Sequence, residues 1–222
     1  MARPKSPDFE QRQQLILRSA AELFAARGFG ETLLEDIAEH CGIKRSSIYH
    51  YHASKHALLH SLITWKIQDL SDKVDQALAD VNGPEPRLAA LMRTLVLDYV
   101  ASPHEIRILN TQSHHLDAQA QASIAVLQER LIAHARSAIA ELCPVPSWGA
   151  KRDMALTMML FGMVNWIPAW YKPQGGLTSD QLVELMVSQF LGGLAHLREV
   201  TPSDSDGVPR RQAASSRGSP SL

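Results

Sequence analysis

From residue 8 to residue 199 the apolar residues of this chain recur every three or four positions, and the rhythm breaks mainly at Gly, Pro or Ser-Pro. That period places side chains on one face of a helix, whereas a half-buried strand needs a period of two. Alternating β-branched runs are few, and no Asn-Gly or Asp-Gly turn joins two of them. The chain therefore reads as all-α. Its 222 residues, 45% of them hydrophobic and 20% charged, are enough to bury one or two cores.

The segments follow from stripes and stops. In residues 8–27, Leu15, Ile16, Ala20, Leu23 and Phe24 form one stripe, ended by Gly28. Thr32-Leu33-Leu34-Glu35 matches a capping box and predicts a short helix from about Leu33 to Gly42. Ser54 is a cap for a long helix over 55–80, broken by Asn82-Gly83-Pro84. Helices over 85–101, 104–111 and 117–142 follow, with stops at Ser102-Pro103 and Cys143-Pro144. Residues 148–171 are apolar nearly all round, which predicts burial on most sides and a kink or end at Pro168. Residues 179–199 are amphipathic, with Leu182, Leu185, Met186, Phe190, Leu194 and Leu197 in register. Residues 201–222 have no periodicity and read as a disordered tail. The expected units are 1–54, 55–200 and 201–222.

Two short helices joined by a turn at Gly42 have the spacing of a helix-turn-helix, the second helix of which enters a DNA groove. That second helix reads Lys44-Arg45-Ser46-Ser47-Ile48-Tyr49-His50-Tyr51. Its start offers cations, small hydroxyls and backbone N–H groups, all suited to phosphates and base edges. Ile48 is its one strongly apolar residue and anchors it. The candidate DNA-binding residues are Thr32, Lys44, Arg45, Ser46, Ser47, Tyr49, His50, Tyr51 and Lys55. The same residues would also suit a merely solvated surface helix, and spacing alone does not decide.

The flanking residues resemble the TetR family of bacterial transcriptional regulators. The likeness covers about residues 10–63: Ala20-Ala21-Glu22-Leu23-Phe24, Arg27-Gly28-Phe29, Thr32, Ile37-Ala38, Gly42, Ile48-Tyr49-His50-Tyr51, Ser54-Lys55 and Leu58-Leu59. It implies a three-helix DNA-binding domain, a linking fourth helix, an all-α ligand-binding and dimerisation domain, and a homodimer. The chain departs from the common pattern at His52, where Phe is usual, at His56, where Glu is usual, and at Ser46, where Gly often stands.

Further on, Asn165-Trp166, Trp170-Tyr171, Pro173 and Gly175 resemble one branch of these regulators, which controls fatty-acid, sterol or phenylacetate breakdown and includes sensors of acyl-CoA thioesters. By this likeness, Met158, Phe161, Gly162, Asn165, Trp166, Trp170 and Tyr171 are candidate ligand-binding residues. The methionines and aromatics also suit ordinary core and dimer packing. Arg93, Arg107, Arg152 and Lys172 are candidate partners for the phosphates of a CoA head group. The helices over 151–171 and 179–199 are expected to pair with their symmetry mates, Gly192-Gly193 permitting close approach.

Other chemistries find little support. Cys41 and Cys143 make no CxxC and no disulfide framework. His56 and His60 have i, i+4 spacing without a further ligand pattern, so no metal is expected. No Gly-rich phosphate loop, nucleophile elbow or acid–base pair is readable, which makes an enzyme the weakest class. The N-terminus carries no apolar run and no stretch approaches about 18 apolar residues, so the expectation is a cytoplasmic protein without a membrane span or cofactor. The net charge of −1 argues against nucleic acid only as an average. Residues 1–66 hold nine Lys/Arg against seven Asp/Glu, and residues 67–200 hold ten against fourteen. The expected function is a repressor that binds a palindromic operator as a homodimer and is released by an apolar effector, with an acyl-CoA as the candidate. The alternative is a DNA-binding architectural or cell-division protein whose helical domain binds another protein.

Overall fold

A computed structural model describes residues 7–144 and 149–200. The described residues form ten α-helices: α1 (Pro7–Arg27), α2 (Leu34–His40), α3 (Arg45–Tyr51), α4 (Lys55–Leu78), α5 (Pro84–Ala101), α6 (Pro103–Thr111), α7 (Ala118–Leu142), α8 (Gly149–Asn165), α9 (Ile167–Trp170) and α10 (Ser179–Val200). A single 3-10 turn, Ser113–His115, links α6 to α7, and no strand occurs among the described residues. The tail over 201–222 lies outside them.

Caps set most boundaries. Ser54 Oγ accepts from the Ala57 N–H at 3.1 Å and opens α4; Asp117 opens α7 the same way through the Ala120 N–H at 2.8 Å. The expected capping box at Thr32 is displaced by one residue. Leu33 is the N-cap of α2, and its N–H donates to the Asp36 carboxylate at 2.9 Å. Thr32 is fully buried, and its hydroxyl donates to the Gly28 carbonyl at 2.8 Å, so it closes α1 rather than opening α2. At the end of α2, the Ile43 N–H donates to the Ala38 carbonyl at 2.9 Å across Gly42, whose φ is +65°. This is a Schellman closure, and only glycine takes that φ without strain.

Two cores result. The first is built from α1, α2, Ile48 of α3 and the start of α4, including Leu58, Leu62, Ile63 and Ile67. It also takes in Ile108 and Leu109 of α6, Leu116, and Ile124 of α7. The second gathers Leu70, Val74 and Leu78 of α4 with α5, α7, α8 and α10. Helix α5 is its centre and packs against α4, α7 and α10. Helix α4 therefore belongs to both cores and changes allegiance between Ile67 and Leu70.

Two expectations on packing fail among the described residues. Leu15 is exposed, and Leu17 takes its place in the α1 core stripe. Helix α8 is not buried all round: Leu156, Leu160 and Val164 face the core, while Met159 is 65% exposed. It ends at Asn165, three residues before Pro168, because the proline ring denies its backbone to a continuing helix; one short helical turn, α9, resumes beyond Trp166.

Candidate functional site

Helix α3 is held by Ile48, which is wholly buried, and by the Tyr51 ring, stacked on Phe9 at 4.8 Å. Lys44, Arg45, Ser46, Tyr49 and His50 are exposed on the other side, and Ser47 is half-buried. Glu35 of α2 organises part of this face. One of its carboxylate oxygens accepts from Arg45 at 2.8 Å and from the Tyr49 hydroxyl at 2.9 Å. Backbone hydrogen bonding, then Arg45 and Tyr49, hold the Glu35 carboxyl below its ordinary range. The same contact pushes the Tyr49 hydroxyl up, so it stays a donor. Lys44, Ser46 and His50 make no side-chain hydrogen bond among the described residues.

The remaining sequence candidates sit elsewhere. Thr32 is buried under α1. Tyr51 is half-buried against Phe9. Lys55 donates to the carbonyls of Phe29 at 2.6 Å and Gly30 at 2.8 Å, its ammonium lying 4.6 Å from the Phe29 ring centroid. It thus ties the exit of α1 to the start of α4. His115 stacks on the other side of this joint, 4.5 Å from Phe29. Burial first, then the neighbouring His114, His56 and Lys55, hold its pKa below the ordinary 6.5. His60 is engaged with Ser123 at 3.0 Å, and among the described residues no group of three or more His, Cys, Asp or Glu is arranged to hold a metal ion.

Of the several cavities among the described residues of the second unit, two adjoin each other beside α8. The inner one, about 210 Å³, is lined by Ile67 and Leu70 of α4, Tyr99 of α5, Leu131 of α7, and Met158 and Phe161 of α8, with Asn110 and Asn165 at its edge. The outer one, about 630 Å³, is lined by Arg107, Asn110, Thr111, Asn165, Trp166, Pro168 and Ala169. They share Asn110 and Asn165. The Tyr99 hydroxyl donates to Asn165 Oδ1 at 2.9 Å, and Asn110 Nδ2 donates to the Asn165 carbonyl at 3.1 Å. Burial pushes the Tyr99 hydroxyl well above its ordinary value, so it remains protonated. Of the sequence candidates, Met158, Phe161, Asn165 and Trp166 line these cavities; Gly162, Trp170 and Tyr171 line neither. Among the cations, Arg107 lines the outer cavity, Arg93 is paired with Asp180, and Arg152 with Asp153.

Sequence reasoning missed the polar groups that tie these parts together. Lys66 is only 1% exposed, and its ammonium lies 2.6 Å from Asp98 Oδ2, 3.2 Å from Ser102 Oγ and 3.4 Å from Asp69. The other Asp98 oxygen accepts from Lys73 at 2.7 Å. Asp98 is the residue before Tyr99. A signal was present: Lys66 sits in the apolar register of α4, between Leu62, Ile63 and Leu70. A lysine at such a position is buried only with a partner.

Family-wide sequence profiles match most of the chain. Residues 82–194 match the tetracyclin repressor-like C-terminal domain, and residues 16–62 match the bacterial regulatory proteins of the tetR family. The HTH-type transcriptional repressor KstR2 of Rhodococcus jostii (strain RHA1) is 27% identical over 186 residues, covering 83% of this chain and 91% of that protein. A TetR-family transcriptional regulator from Bordetella parapertussis 12822 superposes with a TM-score of 0.77 at 31% identity, over 85% of this chain and 98% of that one. AibR, solved in complex with isovaleryl coenzyme A and operator DNA, superposes with a TM-score of 0.68 at 26% identity, over 80% of this chain and 97% of that one. None of the helices among the described residues is long and apolar enough to cross a membrane. A helix-turn-helix joined through one shared helix to an all-α unit, matched by both halves of the family profile, places this chain in the TetR family of bacterial transcriptional regulators.

Proposed function

We propose that the protein is a cytoplasmic, effector-released transcriptional repressor that acts as a homodimer on a palindromic operator. The observation that carries this reading is α4. It begins in the core that holds α3 and ends in the core that surrounds the cavities. At the changeover, Lys66 grips Asp98, and the adjacent Tyr99 lines the inner cavity. A ligand that displaces Tyr99 or Asn165 therefore acts on the same turn of α5 that pins α4. An effector shifts the population only through different affinities for the two α4 positions.

The dimer reading rests on exposed apolar surface. Met159 is 65% exposed and Leu185 is 59% exposed. Gly162 and Gly192 lie on the same two helices with no neighbour in space where a Cβ would stand. Small residues beside exposed Met and Leu suit the close approach of a second copy. A two-fold dimer sets two α3 helices about one DNA turn, roughly 34–36 Å, apart. Lys44, Ser46, Tyr49 and His50 are the contacts we assign to DNA, with Arg45 held ready by Glu35. The effector we assign is a coenzyme A thioester, as the isovaleryl coenzyme A complex of AibR supports.

Gel shift on the promoter-proximal palindrome, with and without acyl-CoAs, tests the reading. Retarded dimer–DNA complex that dissolves on adding an acyl-CoA is the expected result. DNA binding that no cavity ligand alters refutes effector control.

A further inference from the structure

The two cavities are unequal, and the inequality constrains the effector. We propose that its apolar part is small, a short branched chain or a single ring, and is joined through a carbonyl to a much larger anionic carrier. This deepens the proposed function and rests on its effector-controlled reading.

The inner cavity holds about 210 Å³ between the apolar side chains of Ile67, Leu70, Leu131 and Phe161, with Gln128 also in its lining and the exposed Met158 on its open side. A dry apolar cavity of about 150 Å³ takes one benzene ring, so this space takes one ring and roughly two or three further carbons. It does not take a tetracyclic ring system or a long acyl chain. On its core side Ile67, Leu70 and Leu131 are buried residues of packed helices, so that wall recedes only if helices move.

The outer cavity is about three times larger, at about 630 Å³, and its chemistry is different. Its lining includes Arg107, Asn110 and Thr111, and the Arg107 guanidinium has no ion pair among the described residues. The Thr111 hydroxyl donates to the Arg107 carbonyl and Asn110 to the Asn165 carbonyl, so the open guanidinium is the group here that suits phosphate or another multiply charged anion.

The neck between them is polar. Asn165 and Asn110 border both spaces. Because the Tyr99 hydroxyl already donates to Asn165 Oδ1, the Asn165 NH2 is left to donate to a ligand. That donor meets an acceptor such as a carbonyl, placed between the apolar and the anionic parts. A thioester of a short or monocyclic acid with coenzyme A has this order: small apolar group, carbonyl, large polyanionic carrier.

The test is isothermal titration of the full-length dimer with isovaleryl-CoA, phenylacetyl-CoA, palmitoyl-CoA, a sterol-derived tetracyclic acyl-CoA and free CoA. Isovaleryl-CoA or phenylacetyl-CoA is expected to bind at least about tenfold tighter than the two bulky thioesters and than free CoA. Arg107→Gln is expected to weaken isovaleryl-CoA and free CoA alike, by about tenfold. Asn165→Leu is expected to remove the preference for the thioester over free CoA. Equal or tighter binding of palmitoyl-CoA or the tetracyclic thioester overturns the size limit while leaving effector control standing. Unaltered affinity in Arg107→Gln overturns the placing of the carrier. If no thioester binds a dimer that still shifts its operator, the coenzyme A reading fails together with this inference.

Discussion

Asp98 is a buried charge whose loss the fold should tolerate poorly. Two lysines of α4 share its carboxylate: Lys66, 1% exposed, at 2.6 Å, and Lys73, 46% exposed, at 2.7 Å. Removing one partner of a buried ion pair costs about 3–5 kcal/mol, because the survivor is left charged and dry. Asp98→Asn takes away the nearest counter-charge of Lys66 and leaves it Ser102 at 3.2 Å and the part-exposed Asp69 carboxylate at 3.4 Å, so the cost should lie within that range. Lys66→Met leaves Asp98 with Lys73 and fills the space with a flexible apolar chain. Its cost should fall to about 1–2 kcal/mol, less than half that of breaking an unsupported pair. The double variant Lys66→Met/Asp98→Asn has no stranded charge and should be more stable than Asp98→Asn alone. For a chain of this size each kcal/mol moves Tm by about 2–4 °C, so Asp98→Asn should melt about 6–20 °C lower. Urea unfolding at one fixed protein concentration and pH 7.5 measures all three, since dimer stability depends on concentration. If the double variant is no more stable than Asp98→Asn, the claim that a stranded Lys66 sets the cost is wrong.

The remaining predictions concern the reading face, the dimer and pH. Lys44→Ala with Tyr49→Ala should weaken operator binding by at least about tenfold without changing the dimer mass in light scattering; unchanged binding would remove α3 as the reading helix. Glu35→Gln frees Arg45 and deletes a negative charge beside the phosphates, so non-specific DNA affinity at low salt should rise a few-fold, measured by fluorescence anisotropy. Met159→Glu should turn the dimer into monomer in sedimentation and abolish the operator shift. His115 titrates below 6.5 when folded, so the folded state binds fewer protons than the unfolded chain. The contribution of His115 to stability should therefore be full above pH 6.5 and fall as pH drops from there through the folded pKa, alongside that of His134, which burial also holds low. His115→Gln should flatten that fall in a series of melts; an equal fall in both proteins rules out His115 as its source.

Much of the α3 face was legible in the sequence because it is local. Ile48 as the anchor, and Lys44, Arg45, Ser46, Tyr49 and His50 as the exposed side, follow from spacing within one short helix. Lys55 and Tyr51 were not legible, since their partners lie 26 and 42 positions away at Phe29 and Phe9; Thr32 has its partner only four positions back at Gly28, but its hydroxyl suits the end of one helix as well as the start of the next. A side chain with hydroxyl or ammonium suits a phosphate and a helix-end carbonyl equally, and sequence does not say which lies nearer. The cavity-bearing half shows the same divide. Its apolar walls at Met158 and Phe161 come from one helix. The neck needs Tyr99, Asn110 and Asn165 from three.

The sequence by itself determined the all-α class, nearly every helix boundary and the turn at Gly42, because periodicity, caps and φ preferences act over a few neighbouring residues. Only the tertiary structure decided what α4 does. Its stripe runs unbroken from Leu58 to Leu78, yet the first half packs against the α3 unit and the second against the cavities. Hydrophobic burial is non-directional, so a stripe says that a face is covered and not by which helix. The packing of α5 across α4 answers that, and it places Asp98 on Lys66 where the two cores meet.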